Sequence, residues 1–261
     1  MSADLELIRE AALEAGELAL KRRRRGLKVE YKAGGSPVTD GDLAVDAFLS
    51  ERLRAARPDY GWLSEETADD PARLVARRLF VVDPVDGTRA YARDKPWFAV
   101  CIGVVEGERA VAGVVHAPAL DETFEAERGG GARLNGAAIR ASGTPALEGC
   151  RMLGDARLFG HPNWREPWPA MQVESRNSIA YRMCLVADGR HDAAVALNIK
   201  HDWDVVAASV IAEEAGAVVS DHTGRPYRFN QPDPNQASLV CAAPTLHPLI
   251  LARTAELRLP R

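Results

Sequence analysis

The sequence predicts an α/β protein built in layers, and three patterns carry that prediction. Between Trp97 and Ala126, strand-like runs follow one another across tight connections, which is the mark of an antiparallel meander. From Ser178 onward, short apolar strands alternate with helical periods, an arrangement that needs helices packed on a sheet. With 261 residues, 46% hydrophobic and 27% charged, the chain has material for one large domain or two modest ones. The loose stretch from Ala141 to Glu148 divides it into an N-terminal α+β half, residues 1–145, and a C-terminal α/β half, residues 146–261.

The first element is a helix, because Leu5, Ile8, Ala12, Ala15 and Ala19 step by three and four. It ends in Lys21-Arg22-Arg23-Arg24-Arg25. A cationic last turn is favourable with the helix dipole. The other reading is a nucleic-acid patch. The run is isolated, however, in a chain of net charge -4, which speaks against a general polyanion binder. Gly34, Gly35 and Pro37 then make a loop. Thr39 stands three residues before Asp42, the spacing of a capping box, and Val45, Phe48, Leu49 and Leu53 supply the next helix's apolar face. From spacing alone, Asp42 and Asp46 read as first-turn acids and Lys32 as a solvated loop lysine. Pro58-Asp59-Tyr60 turns the chain into the short apolar segment 61–64. Glu65 and Glu66 follow it, either as surface acids or as metal ligands.

Leu79 to Tyr91 is the stretch around which the rest is organised. Leu79-Phe80-Val81-Val82 reads as a buried strand and runs into Asp83-Pro84-Val85-Asp86-Gly87-Thr88. Pro84 lacks a backbone donor and has a fixed φ, so the ladder should stop there. Gly87 frees the backbone to bend or to approach a ligand, and a helix should begin at Thr88. Two carboxylates at a strand end, beside a helix N-terminus, offer what a divalent cation and a phosphate need together. As isolated dipeptides, Asp-Pro and Asp-Gly would only mark a turn.

Strands follow at Trp97 to Val105, Ala110 to His116 and Thr123 to Ala126. Gly129-Gly130-Gly131 has no strand-to-helix context and no following lysine, so it is not a phosphate-binding loop. Arg157 to Pro169, with His161, Trp164, Trp168 and three prolines, reads as an irregular surface segment or a lid. A helix covers Ser178 to Ala187, and Asp188-Gly189 ends it. Asp192 to Leu197 is a strand. The helix carrying Val206, Val210, Ile211 and Glu214 stops at Gly216 and places Asp204 in its first turn. Strands at Ala217 to Ser220 and Leu239 to Ala243 precede a terminal helix within Pro244 to Leu257. His201, beside Asp202 and Asp204, suggests a metal site. The surrounding donors are oxygens that suit magnesium better than zinc, so His201 reads as a helix-start residue. Cys101, Cys150, Cys184 and Cys241 form no CxxC pair and read as small buried hydrophobes in a reducing cytoplasm. The N-terminal MSADLELIRE carries acids where a signal peptide would carry a basic segment and an apolar core. No run is long enough for a membrane span, so no membrane partner is expected.

Taken together, these pieces resemble a known family. DPVDGT, Asp83 to Thr88, resembles the first signature of the inositol monophosphatase superfamily, and WDVVAASVIAEEAGA, Trp203 to Ala217, resembles its second. LSEE (Leu63 to Glu66) and SPVT-x-x-D (Ser36 to Asp42) precede the first signature in the right order. The likeness runs from the first helix to the last. It implies the layered α-β-α-β-α sandwich of the inositol monophosphatase and fructose-1,6-bisphosphatase fold. It also implies a homodimer and a magnesium-dependent, lithium-inhibited phosphomonoesterase with two or three Mg2+ per site. Carried onto this chain, Glu65, Asp83 and the carbonyl of Val85 would hold one magnesium, and Asp83, Asp86 and Asp204 a second. Thr88 and Asp42 would orient and deprotonate a water, with Glu66 in support. Backbone N–H groups of Gly87 and Thr88 would receive the substrate phosphate. The chemistry is consistent with this: a phosphate monoester repels water as a nucleophile, and cations remove that obstacle without any protein nucleophile.

Within the family, Lys32-x-x-x-SPVT-x-x-D, LSEE and YRMCLVADG (Tyr181 to Gly189) look most like bacterial 3'(2'),5'-bisphosphate nucleotidases. The expected reaction is hydrolysis of adenosine 3',5'-bisphosphate to AMP and phosphate. DGTRAY, Asp86 to Tyr91, is closer to histidinol-phosphatases. Inositol enzymes place an acid seven residues before the tryptophan-linked aspartate, where this chain has Leu197. They also have Gly-Thr-Ala where it has Ser178-Ile179-Ala180. Lys32, Ser178 and Arg182 are thus substrate-binding candidates. The two cations would suit a second phosphate, a solvated helix face being the other reading of Arg182. Inositol-1-phosphate and histidinol phosphate are the alternative substrates. A non-catalytic nucleic-acid or regulatory module using Arg22 to Arg25 is the remaining class, and it leaves the acids unexplained.

Overall fold

The computed structural model describes residues 2–32 and 34–259. Helix α1 (Ala3–Arg24) is capped by Ser2, whose hydroxyl accepts from Leu5 N, and it buries Leu5, Ile8, Ala12, Ala15 and Ala19. The cationic last turn is not wholly solvated: Arg23 pairs with Asp94 at 3.3 Å and lies over the Phe98 ring. Where a plain loop was expected, β1 (Val29–Tyr31) and β2 (Pro37–Thr39) form an antiparallel hairpin. Its strands are three residues long, too short to give a readable alternation.

Helix α2 (Asp40–Ala56) starts with the anticipated capping box. Thr39 N–H donates to Asp42 Oδ2 at 3.0 Å, and Gly41 N–H donates to Thr39 Oγ1 at 3.1 Å. Strand β3 (Gly61–Ser64), one 3-10 turn at Pro71–Val75, and β4 (Arg78–Asp86) lead to the single-turn helix α3 (Thr88–Tyr91). The meander then runs through β5 (Ala99–Glu106), β6 (Arg109–Ala117), β7 (Glu122–Glu127), β8 (Ala132–Leu134) and β9 (Ala137–Ala138). Strands β3 to β9 form one seven-stranded sheet in sequence order, antiparallel except for β3 beside β4. Pro84 does not end β4. The pairing with β5 lapses after Asp83 and resumes at Asp86 opposite Ala99, a local irregularity that turns both carboxylates out of the regular ladder.

The second part comprises β10 (Arg151–Leu153), α4 (Ala156–Phe159), β11 (Gln172–Glu174), α5 (Ile179–Ala187) and β12 (Ala193–Ala196). Next come β13 (Lys200–His201), α6 (Asp202–Glu214), β14 (Val218–Ser220), β15 (Asn235–Gln236), β16 (Leu239–Ala242) and α7 (His247–Thr254). Five of these strands make a mixed sheet in the order β11-β10-β12-β16-β14, while β13 pairs with β15.

The layers follow from which side chains share a core. Phe80 and Val82 face Leu5, Ile8 and Leu49 of α1 and α2. Their neighbours Leu79 and Val81 face the other way, in a core with Met183 of α5 and Val206 of α6. That core continues to Leu239 and Cys241 of the second sheet, whose far side is covered by Ile250 of α7. The result is an α-β-α-β-α sandwich. Strand β4 is buried on both faces, which is why it reads as a continuous apolar run. The middle core draws side chains from both sides of residues 141–148.

Helix α6 sits directly on the first sheet. A Cβ at Gly103 would come within 2.7 Å of Val206 Cγ1, and one at Gly113 within 2.4 Å of Ala207 O. The segment 157–169 is largely exposed, as expected of a surface segment, and is anchored by its aromatics: Trp168 meets Phe159 and Trp164 edge-on at 5.0 and 5.3 Å, beside the layer under α7. The four cysteines are buried and free. Among the described residues, no helix is long and apolar enough to cross a membrane.

Candidate active site

Two elements bring three carboxylates to one point. Asp83 and Asp86 come from the irregular end of β4, and Asp204 from the first turn of α6. Each offers an oxygen within 4.8 Å of the others. Asp204 is held by the helix start itself: His201 is the N-cap, and its N–H donates to Asp204 Oδ2 at 2.7 Å. His201 therefore has the helix-start place expected of it, with its ring stacked on Trp203. Asp202 faces elsewhere, accepting from Asn230 N–H at 3.0 Å and Gln236 Nε2 at 2.7 Å.

Burial and mutual repulsion raise the proton affinity of the cluster. Asp83 is pushed well above the carboxylate range by desolvation and by Glu65, Asp86, Asp204 and Asp42 around it. Burial, then Asp204, pushes Asp86 up to about 7, although Ser178 and two backbone N–H groups oppose this. Burial pushes Asp204 up to about 6. Hard oxygens that repel one another and gain from positive charge are a fitting donor set for a divalent cation.

Glu65 stands just past β3, its N–H bonded to Val82 O at 3.3 Å, which sets it beside β4. Its loop is clamped by Asp46, which the sequence offered only as a first-turn acid and which lies in the second turn of α2. Asp46 accepts from the hydroxyls of Ser64 and, at 2.6 Å, Thr67. The signal was present in the spacing, because Asp46 lies one helical turn after Asp42 on the same face. Lys32 Nζ bonds Glu65 Oε1 and Glu66 Oε1, both at 2.8 Å. These bonds outweigh the opposing effect of burial and hold its pKa above the ordinary value. The structure thus places Lys32 on two acids, where the sequence suggested a second phosphate. Burial raises the Glu66 carboxyl against the pull of Lys32.

The Thr88 hydroxyl lies 2.9 Å from Asp42 Oδ1 and 3.1 Å from Val85 O, with one proton to donate between them. Asp42 uses its other oxygen for the cap with Thr39. Burial, which its hydrogen bonds oppose, raises its pKa. Val85 N–H donates to Asp83 Oδ1 at 3.0 Å, shaping the turn between the two aspartates. Gly87, the N-cap of α3, has φ 96°, and a Cβ there would sit 2.8 Å from Trp97 O. Only glycine fits that turn without strain.

Ser178, a substrate-binding candidate from the sequence, is bonded into the acid cluster. Its hydroxyl donates to Asp86 Oδ2 at 2.6 Å and accepts from Tyr181 N–H at the start of α5. Arg182, half-buried on α5, donates Nε to Arg176 O and is under the charge of Asp86. Lys200 escaped notice in the sequence, where it sits in a polar run. It is buried, bonds Ile199 O at 2.9 Å, and has its pKa lowered by burial against the pull of Asp204 and Asp86.

The pattern of the inositol monophosphatase family matches residues 2–259. A histidinol-phosphatase of Chlorobaculum parvum is 33% identical over 232 residues, covering 86% of this chain and 88% of that protein. The 3'(2'),5'-bisphosphate nucleotidase CysQ of Aggregatibacter actinomycetemcomitans is 29% identical over 87% of each chain. The crystal structure of the extragenic suppressor protein suhB from Bartonella henselae superposes with TM-score 0.83 at 27% identity, covering 98% of this chain and 99% of that one. Fold, acid cluster and likenesses together define a phosphoric monoester hydrolase. The chain belongs to the inositol monophosphatase family.

Proposed function

We propose that this hydrolase is magnesium-dependent and acts on a small phosphorylated metabolite, with adenosine 3',5'-bisphosphate the leading substrate and AMP and phosphate the products. The convergence of Asp83, Asp86 and Asp204 within 4.8 Å carries this reading. Glu65, Asp83 and the Val85 carbonyl would hold one magnesium, and Asp83, Asp86 and Asp204 the second. Bound magnesium supplies charge that neutralises the phosphoryl oxygens, acidifies water and stabilises the leaving alkoxide.

The chain's own residues do the rest. With its proton on Asp42, the Thr88 hydroxyl turns a lone pair outward to accept from the attacking water. The water's proton then has a path through Thr88 Oγ1 to Asp42 Oδ1. Gly87 and Thr88 would offer N–H groups at the α3 start to the phosphate, on a turn whose missing Cβ at Gly87 leaves room for Trp97 O and Ser178. Lys32, itself held by Glu66, holds Glu65 in place. Ser178 orients Asp86 and caps α5 at the edge of the site.

The nucleotidase reading is supported by the CysQ relative and by a second phosphate's need for cations such as Arg182. The same family reading carries a cytoplasmic homodimer and inhibition by lithium. A steady-state panel of adenosine 3',5'-bisphosphate, inositol-1-phosphate and histidinol phosphate, with Mg2+ and with EDTA, tests it. The expected result is turnover only with Mg2+ and fastest on the bisphosphate. Much faster turnover of inositol-1-phosphate would overturn the substrate. Histidinol phosphate is the second reading, favoured by the Chlorobaculum relative and by DGTRAY at Asp86 to Tyr91.

A further inference from the structure

We propose that Lys200 is a specificity-determining residue. Together with Arg182, its ammonium receives a second anionic group of the substrate, phosphate or carboxylate, while the acid cluster handles the phosphoryl group that is cleaved. This rests on the phosphatase reading and names the substrate class within it.

The first observation is a buried cation short of partners. Lys200 is 7% exposed, yet its Nζ makes one hydrogen bond, to the carbonyl of the preceding residue at 2.9 Å. An ammonium has three donors, and lysine is almost never buried without a counter-charge. Among the described residues, no carboxylate lies within ion-pair distance of it. Its backbone is fixed, because β13 pairs Lys200 with Gln236 and leads straight into α6.

The second observation is that Arg182 shares the condition. From α5 it donates Nε to Arg176 O and has no ion-pair partner among the described residues. Arg182 lies one turn beyond Ser178 and its N–H bonds Ser178 O at 3.2 Å, where α5 starts on Asp86, and Lys200 lies just ahead of the helix start that holds Asp204. They therefore border the acid cluster from two separate elements. With divalent cations held by Asp83, Asp86 and Asp204, the field that offsets these two charges would be cancelled. An anionic group from the substrate then becomes the available counter-charge.

The arrangement discriminates among phosphate monoesters. A bisphosphate or a phospho-acid brings its second charge to two cations. A neutral polyol phosphate gains nothing there, and an amine such as that of histidinol phosphate meets like charge. Leu197, three residues before Lys200, supplies no acid that could receive an amine.

The test uses the full chain as wild type and as Lys200→Met, Lys200→Arg and Arg182→Met, with melting curves to confirm folding. Adenosine 3',5'-bisphosphate supplies a second phosphate, 2-phosphoglycerate a carboxylate, and β-glycerophosphate neither. In Lys200→Met, kcat/KM for each doubly anionic substrate, relative to β-glycerophosphate, should fall at least about tenfold. Arg182→Met should follow, and Lys200→Arg should recover most of the ratio. Calorimetric affinity for adenosine 3',5'-bisphosphate in Ca2+ should fall by a similar factor, and that for inorganic phosphate much less. Parallel losses for all substrates would mean that Lys200 serves only Asp204, and would overturn the proposal. A loss confined to one of the two doubly anionic substrates identifies the group received and supports it. If wild type hydrolyses none of them, the functional reading fails, while the calorimetric comparison still decides the role of Lys200.

Discussion

Ser178 Oγ donates to Asp86 Oδ2 across 2.6 Å, joining residues 92 positions apart. The N–H groups of Ile179 and Ala180 add bonds of 3.2 and 2.7 Å to the same carboxylate. Asp86 thus closes the start of α5 while standing in the acid cluster. Ser178→Ala removes one of these bonds and the α5 cap, and should cost about 1–2 kcal/mol of stability. The lost bond had lowered the Asp86 pKa, so the Mg2+ concentration for half-maximal activity should rise. Melting curves and a magnesium titration check both effects. Unchanged values in both would show that the bond does not hold Asp86.

Thr88 and Asp42 should behave as one unit. Thr88→Val and Asp42→Asn each interrupt the path from water to carboxylate and should lower kcat by about 10²–10⁴. The double variant should lose little more than the worse single one, because a broken relay is not broken further by a second cut. Multiplicative losses in kcat would assign the residues to separate tasks.

Asp83 is buried among carboxylates that raise its proton affinity. Removing its charge should relieve the metal-free fold while destroying the cation site. Asp83→Asn should therefore melt higher than wild type in EDTA, by about 2–4 °C for each kcal/mol of repulsion relieved. It should gain no melting temperature from Mg2+ and lose turnover. A variant that melts lower in EDTA and still responds to Mg2+ would contradict this account.

Asp192 and Arg151 give the fold an acid-sensitive brace away from the acid cluster. Burial alone would raise the Asp192 carboxyl. Bonds from Arg151 Nη2 at 2.7 Å and Arg151 N–H at 2.8 Å outweigh it and hold the pKa well below the usual carboxylate range. A depressed folded-state pKa contributes stability that is complete above the unfolded value, about 3.9, and lost as pH falls toward the folded one. Arg151→Met should therefore melt below wild type at pH 7, and the gap should narrow below about pH 4. A gap constant from pH 7 to pH 3 would show that Arg151 acts by packing alone.

How far the sequence could be read depended on whether a residue's partner lay nearby in the chain. The α2 cap was legible because Thr39 and Asp42 are three apart. Strand β4 was legible because burial on both faces leaves an apolar run. The β1–β2 hairpin was not, since three-residue strands carry no period. Pro84 pointed to a strand end because its missing donor is a local fact, whereas the resumed pairing at Asp86 depends on Ala99. Lys32 and Ser178 were recognised as site residues, but their partners, Glu65, Glu66 and Asp86, come from distant elements. Lys200 carries no motif, and its burial is decided by β15 and α6. The likeness of two long signatures supplied what spacing could not.

Asp42 divides its two oxygens, Oδ2 for the α2 cap and Oδ1 for Thr88. Asp83 gives the fold only the bond from Val85 N–H, which a neutral asparagine could accept as well, while its charge strains the fold when no cation is present. A descendant of this chain that had abandoned catalysis would still be selected to keep Asp42 for the helix, and would gain by shedding Asp83. In sorting living enzymes from retired ones among its relatives, the aspartate after β4's apolar run is the informative letter. The one at the mouth of α2 would persist in both.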